Sequence, residues 1–201
     1  KLIPEVVVSA LKSSDNNFYI EEDDTNHDYV LSVDLMKSMA GKKLGPKRNF
    51  INRYKRLYED RTEVKRLDLT IDTVEKQIID LFITWQKKAK KTCAETEDEY
   101  QAIQRAISKA HLFDLHTIGI YIDGVLEAFS IDEILHDGYG MIHYEKANVD
   151  IVGIYQFLKQ QSAHMFESFG CTYINYEQDL GIMGLRKAKR SHSPVDMLKK
   201  Y

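Results

Sequence analysis

The sequence predicts an α/β (α+β) fold, a mixed central sheet flanked by helices, and three observations carry that prediction. Asp123-Gly124 stands between two apolar runs, His116 to Ile122 and Val125 to Ile131, which is a hairpin signal. Ile151, Ile154, Tyr155, Leu158, Met165, Phe166 and Phe169 share one face of an amphipathic helix that Gly170 ends. Tyr173, Ile174 and Tyr176 then make a β-favouring run that leads through polar residues and two glycines into a basic helical segment, Leu185 to Arg190. In α/β sheets, ligands bind at such carboxyl ends of strands, where helix N-termini point.

The 201-residue chain is long enough for one domain or two small lobes. With 43% hydrophobic and 29% charged residues, it can bury a sizeable core and stay soluble. The formal net charge of -3 hides a segregation. Residues 1–36 hold eight acids and two bases, whereas residues 42–61 hold eight bases and two acids. Such a division suits either an anionic partner for the basic part or two solvated faces that attract each other. Cys93 and Cys171 are too few for a disulfide framework and point to a reducing cytoplasm. No apolar run approaches the ~20 residues of a membrane-spanning helix, and no signal peptide is visible. The first residue is Lys1 rather than Met, so the chain reads as a fragment of a longer protein.

Taken in order, Pro4 to Lys12 is a short apolar segment of open type, and Ser13 to Asn17 is a polar turn. Asp28 to Val33 reads as a strand, and Asp34 is expected to cap a short helix to Met39. Gly45-Pro46 breaks the chain, and the proline suits the first turn of a helix over Lys47 to Tyr58. There Ile51, Tyr54 and Tyr58 share one face, while Lys47, Arg48, Arg53, Lys55 and Arg56 lie on others. Val64 to Leu69 is strand-like. Asp72 and Glu75 resemble a capping box for a helix with a core stripe of Val74, Ile78, Leu81, Phe82, Trp85 and Ala89. Glu97 to Leu112 is a second helix, with Tyr100, Ile103, Ile107 and Ala110 inward. After the hairpin, Tyr139 to Glu145 is a third strand. Pro194 closes the basic helix, and a last strand is expected within Val195 to Tyr201. No internal repeat is visible.

Two stretches carry a resemblance. Asn175-x-Glu-Gln-Asp-Leu-Gly-x-x-Gly-Leu-Arg-Lys-Ala-Lys189 is similar to the signature of the phosphatidylglycerol lysyltransferase C-terminal domain family, and the upstream Gly41-Lys-Lys and Lys47-Arg-Asn-x-Ile-Asn-Arg53 resemble the same family. The resemblance covers nearly the whole chain. It implies the GNAT acyltransferase fold, often as two fused lobes, and Fem-like aminoacyltransferase relatives. The element order of residues 72–201 matches one GNAT lobe, and residues 1–71 would be the remnant of a preceding lobe with a basic linking helix. Enzymes of that fold hold the coenzyme A pyrophosphate in the loop between the third strand and the next helix, on Arg/Gln-x-x-Gly-x-Gly/Ala. Here the loop is Glu145-Lys-Ala-Asn-Val-Asp-Ile-Val-Gly153, with one glycine, two acids and one lysine. This departs from the motif. The family and its Fem-type relatives take an aminoacyl group from charged tRNA, and the departure fits that donor and a degenerate lobe alike. The membrane synthases of the family also carry a multi-span domain, and nothing of that kind is seen in this sequence.

The seven histidines show no metal-ligand spacing, and no nucleophile constellation is visible. His143 reads as a satisfied strand residue, and Cys171 as a small packed hydrophobe. Direct transfer in a ternary complex needs positioning and at most one base. Strand 172–176 is expected to end in a pocket, with alternation putting Asn175 and Glu177 on the same side. The expected catalytic residues are Glu177 and Asp179, to hold a donor α-amino group or take a proton, and Asn175, to polarise a carbonyl. Substrate contacts are expected at Lys47, Arg48, Arg53, Glu145, Asn148, Arg186 and Lys187, the basic ones toward phosphate. For each residue taken singly a local cap or surface pair is the favoured reading, and the functional one gains from the whole stretch taken with the resemblance. No metal is expected. The donor is expected to be aminoacyl-tRNA or acyl-CoA, and the partner a charged tRNA or a phosphate-bearing small molecule. The leading expectation is therefore a soluble, cytoplasmic aminoacyl- or acyltransferase. A coenzyme A-dependent N-acyltransferase and a non-catalytic ligand- or RNA-binding module are the alternatives.

Overall fold

A computed structural model describes residues 2–12 and 19–201; the expected Ser13 to Asn17 turn lies outside the described residues. The amino-terminal part holds α1 (Glu5–Lys12), β1 (Asp28–Ser32), α2 (Val33–Ser38), α3 (Gly45–Tyr58) and β2 (Thr62–Leu67). Two helices follow, α4 (Asp72–Lys88) and α5 (Cys93–Ser108). Then come β3 (Leu115–Ile122), β4 (Val125–Ile134), β5 (Tyr139–Ala147), α6 (Ile154–Ser168), β6 (Tyr173–Asn175), α7 (Met183–Arg190) and β7 (Asp196–Leu198). The helix, helix, hairpin, strand, helix, strand, helix, strand order expected over residues 72–201 is the order found.

All seven strands make one sheet in the order β2-β3-β4-β5-β6-β1-β7. The expected boundary at residue 71 does not divide it. β1 lies between β6 and β7, and β2 pairs antiparallel with β3 from Thr62↔Ile122 to Leu67↔Thr117. The segment before residue 71 thus contributes β1 and β2 to this sheet. The physical reason is burial: Tyr29, Val30 and Leu31 form an unbroken apolar run that a central position covers on both faces. Among the described residues, β5 and β6 are the one parallel neighbouring pair, and their pairing covers only Tyr139–Met141 against Tyr173–Asn175. β5 runs on to Ala147, so the two chains part beyond residue 141, and the gap between them positions the site described below.

Two cores sandwich the sheet. On one face, Met36 and Met39 from α2 and its end, Ile51 and Tyr54 of α3, and Leu158 and Phe166 of α6 pack on Ile120, Ile142 and Ile174. On the other, Ile78 and Phe82 of α4 and Ile103 of α5 pack on Tyr121, Phe129 and Ile131. The expected Asp-Gly hairpin is present, with Asp123 at φ 50° and Gly124 at φ 80°, the left-handed pair that matches strand twist. Two caps differ from expectation. Ser32, not Asp34, caps α2, its Oγ accepting from Leu35 N at 3.3 Å. Asp72 is the first residue of α4 and makes no side-chain cap, because Asp68 already builds the preceding turn by accepting from Thr70 N and Oγ1. The capping box that does form joins Thr92 and Glu95 at the start of α5.

Candidate active site

The gap between β5 and the chain leaving β6 opens on the α4–α5 side at His143. His143 Nε2 lies 2.9 Å from Glu133 Oε2 on β4, and its Nδ1 lies 3.2 Å from Glu177 Oε1. Both contacts are hydrogen bonds when both ring nitrogens carry protons. The Glu177 hydrogen bond raises the His143 pKa; burial opposes the rise, and Glu133 adds to it. An imidazolium between two carboxylates leaves one net negative charge. Glu133 and His143 line a cavity of about 280 Å³ whose remaining wall includes Phe113, Leu115, Ile131 and Tyr144.

Glu177 reaches His143 because its backbone is pinned. Asn175 Oδ1 accepts from Glu177 N at 2.8 Å. Tyr29 N of β1 donates to the Glu177 carbonyl at 3.1 Å, and Tyr176 N donates to the Tyr29 carbonyl at 2.8 Å. Glu177 itself adopts φ 53°. The strand therefore ends at Asn175, and the alternation expected to pair Asn175 with Glu177 stops one residue too soon.

Most of the other expected residues hold partners within the fold. Asn175 is buried, and its Nδ2 donates to Asp28 Oδ2 at 3.1 Å. Asp179 is also buried and accepts four hydrogen bonds: Tyr29 Oη at 2.6 Å, Gly181 N at 2.9 Å, and Arg186 Nε at 2.8 Å and Nη2 at 3.0 Å. The Arg186 guanidinium, foremost, holds the Asp179 carboxyl at about 2. Asp179 and Arg186 pair with each other, and Arg186 Nη1 also lies 3.8 Å from Asp24 Oδ2. Asn148 bridges Glu127 and Lys88, each at 2.8 Å. Arg48 donates to the Met39 carbonyl at 2.6 Å. Glu145 and Lys47 belong to a second cluster on the α6 side of the sheet. Arg53 and Lys187 are exposed on α3 and α7. Of the ten residues expected from the sequence, Glu177 alone meets the cavity, through His143.

His143 and Glu133 are the residues that sequence reasoning missed. Their signal was present: a histidine inside β5 and a glutamate two residues beyond Ile131 stand beside Tyr144 and Ile131, which pack on the α4–α5 side. Their partnership was hidden, because a bulge between Ile131 and Asp132 sets the register that brings them together.

Gly153 adopts φ 86°, and a Cβ there would lie 2.2 Å from the Phe50 carbonyl oxygen. The backbone of α3 thus sits directly on the N-terminus of α6.

A family profile described as phosphatidylglycerol lysyltransferase, C-terminal, matches residues 3–201. Among curated proteins, none matches the chain. A conserved protein of unknown function from Bacteroides thetaiotaomicron superposes with a TM-score of 0.87 at 29% identity, covering 99% of this chain and 66% of that one. L-PGS from Bacillus licheniformis superposes with a TM-score of 0.69 at 15% identity, covering 100% of this chain and 65% of that one. The chain therefore spans slightly under two thirds of the length of either structure.

Proposed function

Because the chain belongs to the family of phosphatidylglycerol lysyltransferase C-terminal domains, we propose that it moves an aminoacyl group from a charged tRNA to an acceptor, with Glu177 holding the α-ammonium of the donor. The observation that carries this reading is the surplus negative charge of the Glu133–His143–Glu177 bridge beside the cavity. An aminoacyl donor brings an ammonium that such a pair of carboxylates receives, whereas an acetyl donor brings none. Transfer then needs alignment of ester and acceptor, with one group to take the acceptor proton. Glu177, once the ammonium displaces the His143 contact, is placed to orient the donor, and Glu133 keeps His143 in position. Coverage of the α6 N-terminus by the Phe50 backbone supports tRNA over coenzyme A, since a pyrophosphate requires open amides there. A tRNA donor implies work in the cytoplasm. Among the described residues, no helix is long and apolar enough to cross a membrane.

The test offers the protein a mixed pool of radiolabelled aminoacyl-tRNA, or labelled acetyl coenzyme A, each with lipid extract and small amines as acceptors. Protein-dependent movement of label from tRNA to an acceptor is expected. Label moving from acetyl coenzyme A alone, or binding of tRNA without transfer, contradicts the proposal.

A further inference from the structure

The cavity beside His143 has walls that an ammonium site alone does not call for. Five of its seven lining residues, Ala106 of α5, Phe113, Leu115 of β3, Ile131 of β4 and Tyr144 of β5, are apolar or aromatic. Glu133 and His143 are the other two. Burial, and then the Glu177 and Glu99 carboxylates, raise the Tyr144 pKa, so its phenol stays neutral. Phe113 lines the cavity and is yet 56% exposed, so an aromatic ring stands at the mouth. Such a ring loses water-facing apolar surface when an apolar group enters beside it. A dry apolar cavity of about 150 Å³ takes a benzene ring. At about 280 Å³, this one has room for a branched or aromatic side chain.

The charges around the cavity decide what else the ligand can carry. An ammonium that takes over Glu177 leaves Glu133 paired with His143 at 2.9 Å. Glu99, whose charge Tyr144 also feels, is paired with Lys146 at 2.5 Å. Asp114, between Phe113 and Leu115 in the chain, lies 3.6 Å from His116. Arg105, exposed on α5 and donating to the Gln101 carbonyl at 3.3 Å, adds a positive charge that Tyr144 feels. One ammonium is thus matched, at Glu177. A second, carried between Phe113, Leu115 and Ile131, would lose its water and find each of these carboxylates already paired.

We infer that this cavity receives the side chain of the aminoacyl group and selects a large apolar one, of the size of leucine or phenylalanine, over alanine and over a basic side chain. With the α-ammonium on Glu177, the side chain passes the His143 ring and lies between Phe113, Leu115 and Ile131. Alanine leaves most of the cavity unfilled and forgoes that burial. A lysine side chain fills it but strands its second ammonium. The inference rests on the transferase reading only for the ligand's role as a donor, and binding is read separately from transfer.

The experiment is an NMR titration of protein labelled with ¹⁵N-histidine, His143 being assigned with His143→Asn, against leucinamide, phenylalaninamide, alaninamide and lysinamide. These amides carry the α-ammonium and, like the donor ester, no carboxylate. A saturable shift of the His143 resonances is expected, with leucinamide and phenylalaninamide binding at least about tenfold more tightly than the other two. N-acetylleucinamide, which lacks the ammonium, is expected to bind about tenfold more weakly than leucinamide, the effect of losing one charge-assisted contact. Ala106→Phe, which fills the cavity from the partly exposed side of α5, is expected to close the gap between leucinamide and alaninamide. The inference is overturned if no amide gives a saturable shift, or if alaninamide or lysinamide binds as tightly as leucinamide. It is overturned equally if N-acetylleucinamide binds as tightly as leucinamide, or if a folded Ala106→Phe keeps the wild-type gap. Transfer is then measured with leucyl-, phenylalanyl-, alanyl- and lysyl-tRNA. Amide binding in the expected order without transfer from any of them would contradict the transferase reading and leave the cavity's selectivity standing. Transfer that prefers alanyl- or lysyl-tRNA would overturn the selectivity and leave the transferase reading standing.

Discussion

Asp179 shows how a residue can look functional and be structural. It sits in the most distinctive stretch of the chain, yet four donors surround it and Arg186 holds it at about 2. A carboxyl depressed in the folded state adds stability above its unfolded pKa of about 3.9, and that stability is lost as pH falls toward about 2. Asp179→Asn is therefore expected to lower stability at pH 7 by about 1–3 kcal/mol, since the buried carboxylate loses the charge to which Tyr29, Gly181 and the partly exposed Arg186 donate. In urea melts the gap between wild type and variant should close as pH falls from 5 toward 2. A gap that stays constant with pH would mean that the carboxylate charge is not what matters. At this scale the sequence was only partly legible. Residue types with the right chemistry were visible at 175–187, but their partners were not. Asp28 and Tyr29, which occupy Asn175 and Asp179, lie about 150 residues away, as the separations of 147 and 150 show. No local pattern encodes such pairings, and the same holds for His143 with Glu133 and Glu177.

Elements were far more legible, because helix stripes and strand alternation are local. The α6 stripe, the β3–β4 hairpin and the Pro46 start of α3 all stand where apolar spacing and turn chemistry place them. Caps were less legible, since a capping side chain is chosen by competition among several nearby polar groups, as Asp68 and Asp72 illustrate. The junction of α3 and α6 was invisible for a different reason: it depends on two backbones in contact. Gly153 combines φ 86° with a Phe50 oxygen 2.2 Å from where a Cβ would stand. Gly153→Ala must strain the backbone and lift α3 from α6, and is expected to cost about 3 kcal/mol. A shift in the urea midpoint of the corresponding size checks it. A variant as stable as wild type would show that the two helices are not held at this contact, and would remove the support it gives for excluding a pyrophosphate.

For the molecule as a whole, the fold class and the order of elements after residue 72 could be read from the sequence, but the place of the first 71 residues could not. β1 is inserted between β6 and β7 by pairings more than 140 positions apart in the chain, such as Val30 with Asn175, and no periodicity reports them. A fragment of residues 72–201 is accordingly expected not to fold, since it loses the middle strand between β6 and β7 together with the β2 edge. A cooperative melt and native-like circular dichroism from that fragment would contradict the single-sheet architecture. The central functional claim is that the carboxylate at the parting of β5 and β6 receives the donor ammonium. The most direct measurement compares wild type and Glu177→Gln in transfer from the radiolabelled aminoacyl-tRNA pool, with the melting temperature recorded for both. Glu177→Gln is expected to lose transfer by about a hundredfold or more, in line with loss of a positioning or proton-transfer group, while melting at nearly the wild-type temperature. Undiminished transfer by Glu177→Gln, or a variant that melts well below wild type, would contradict the account.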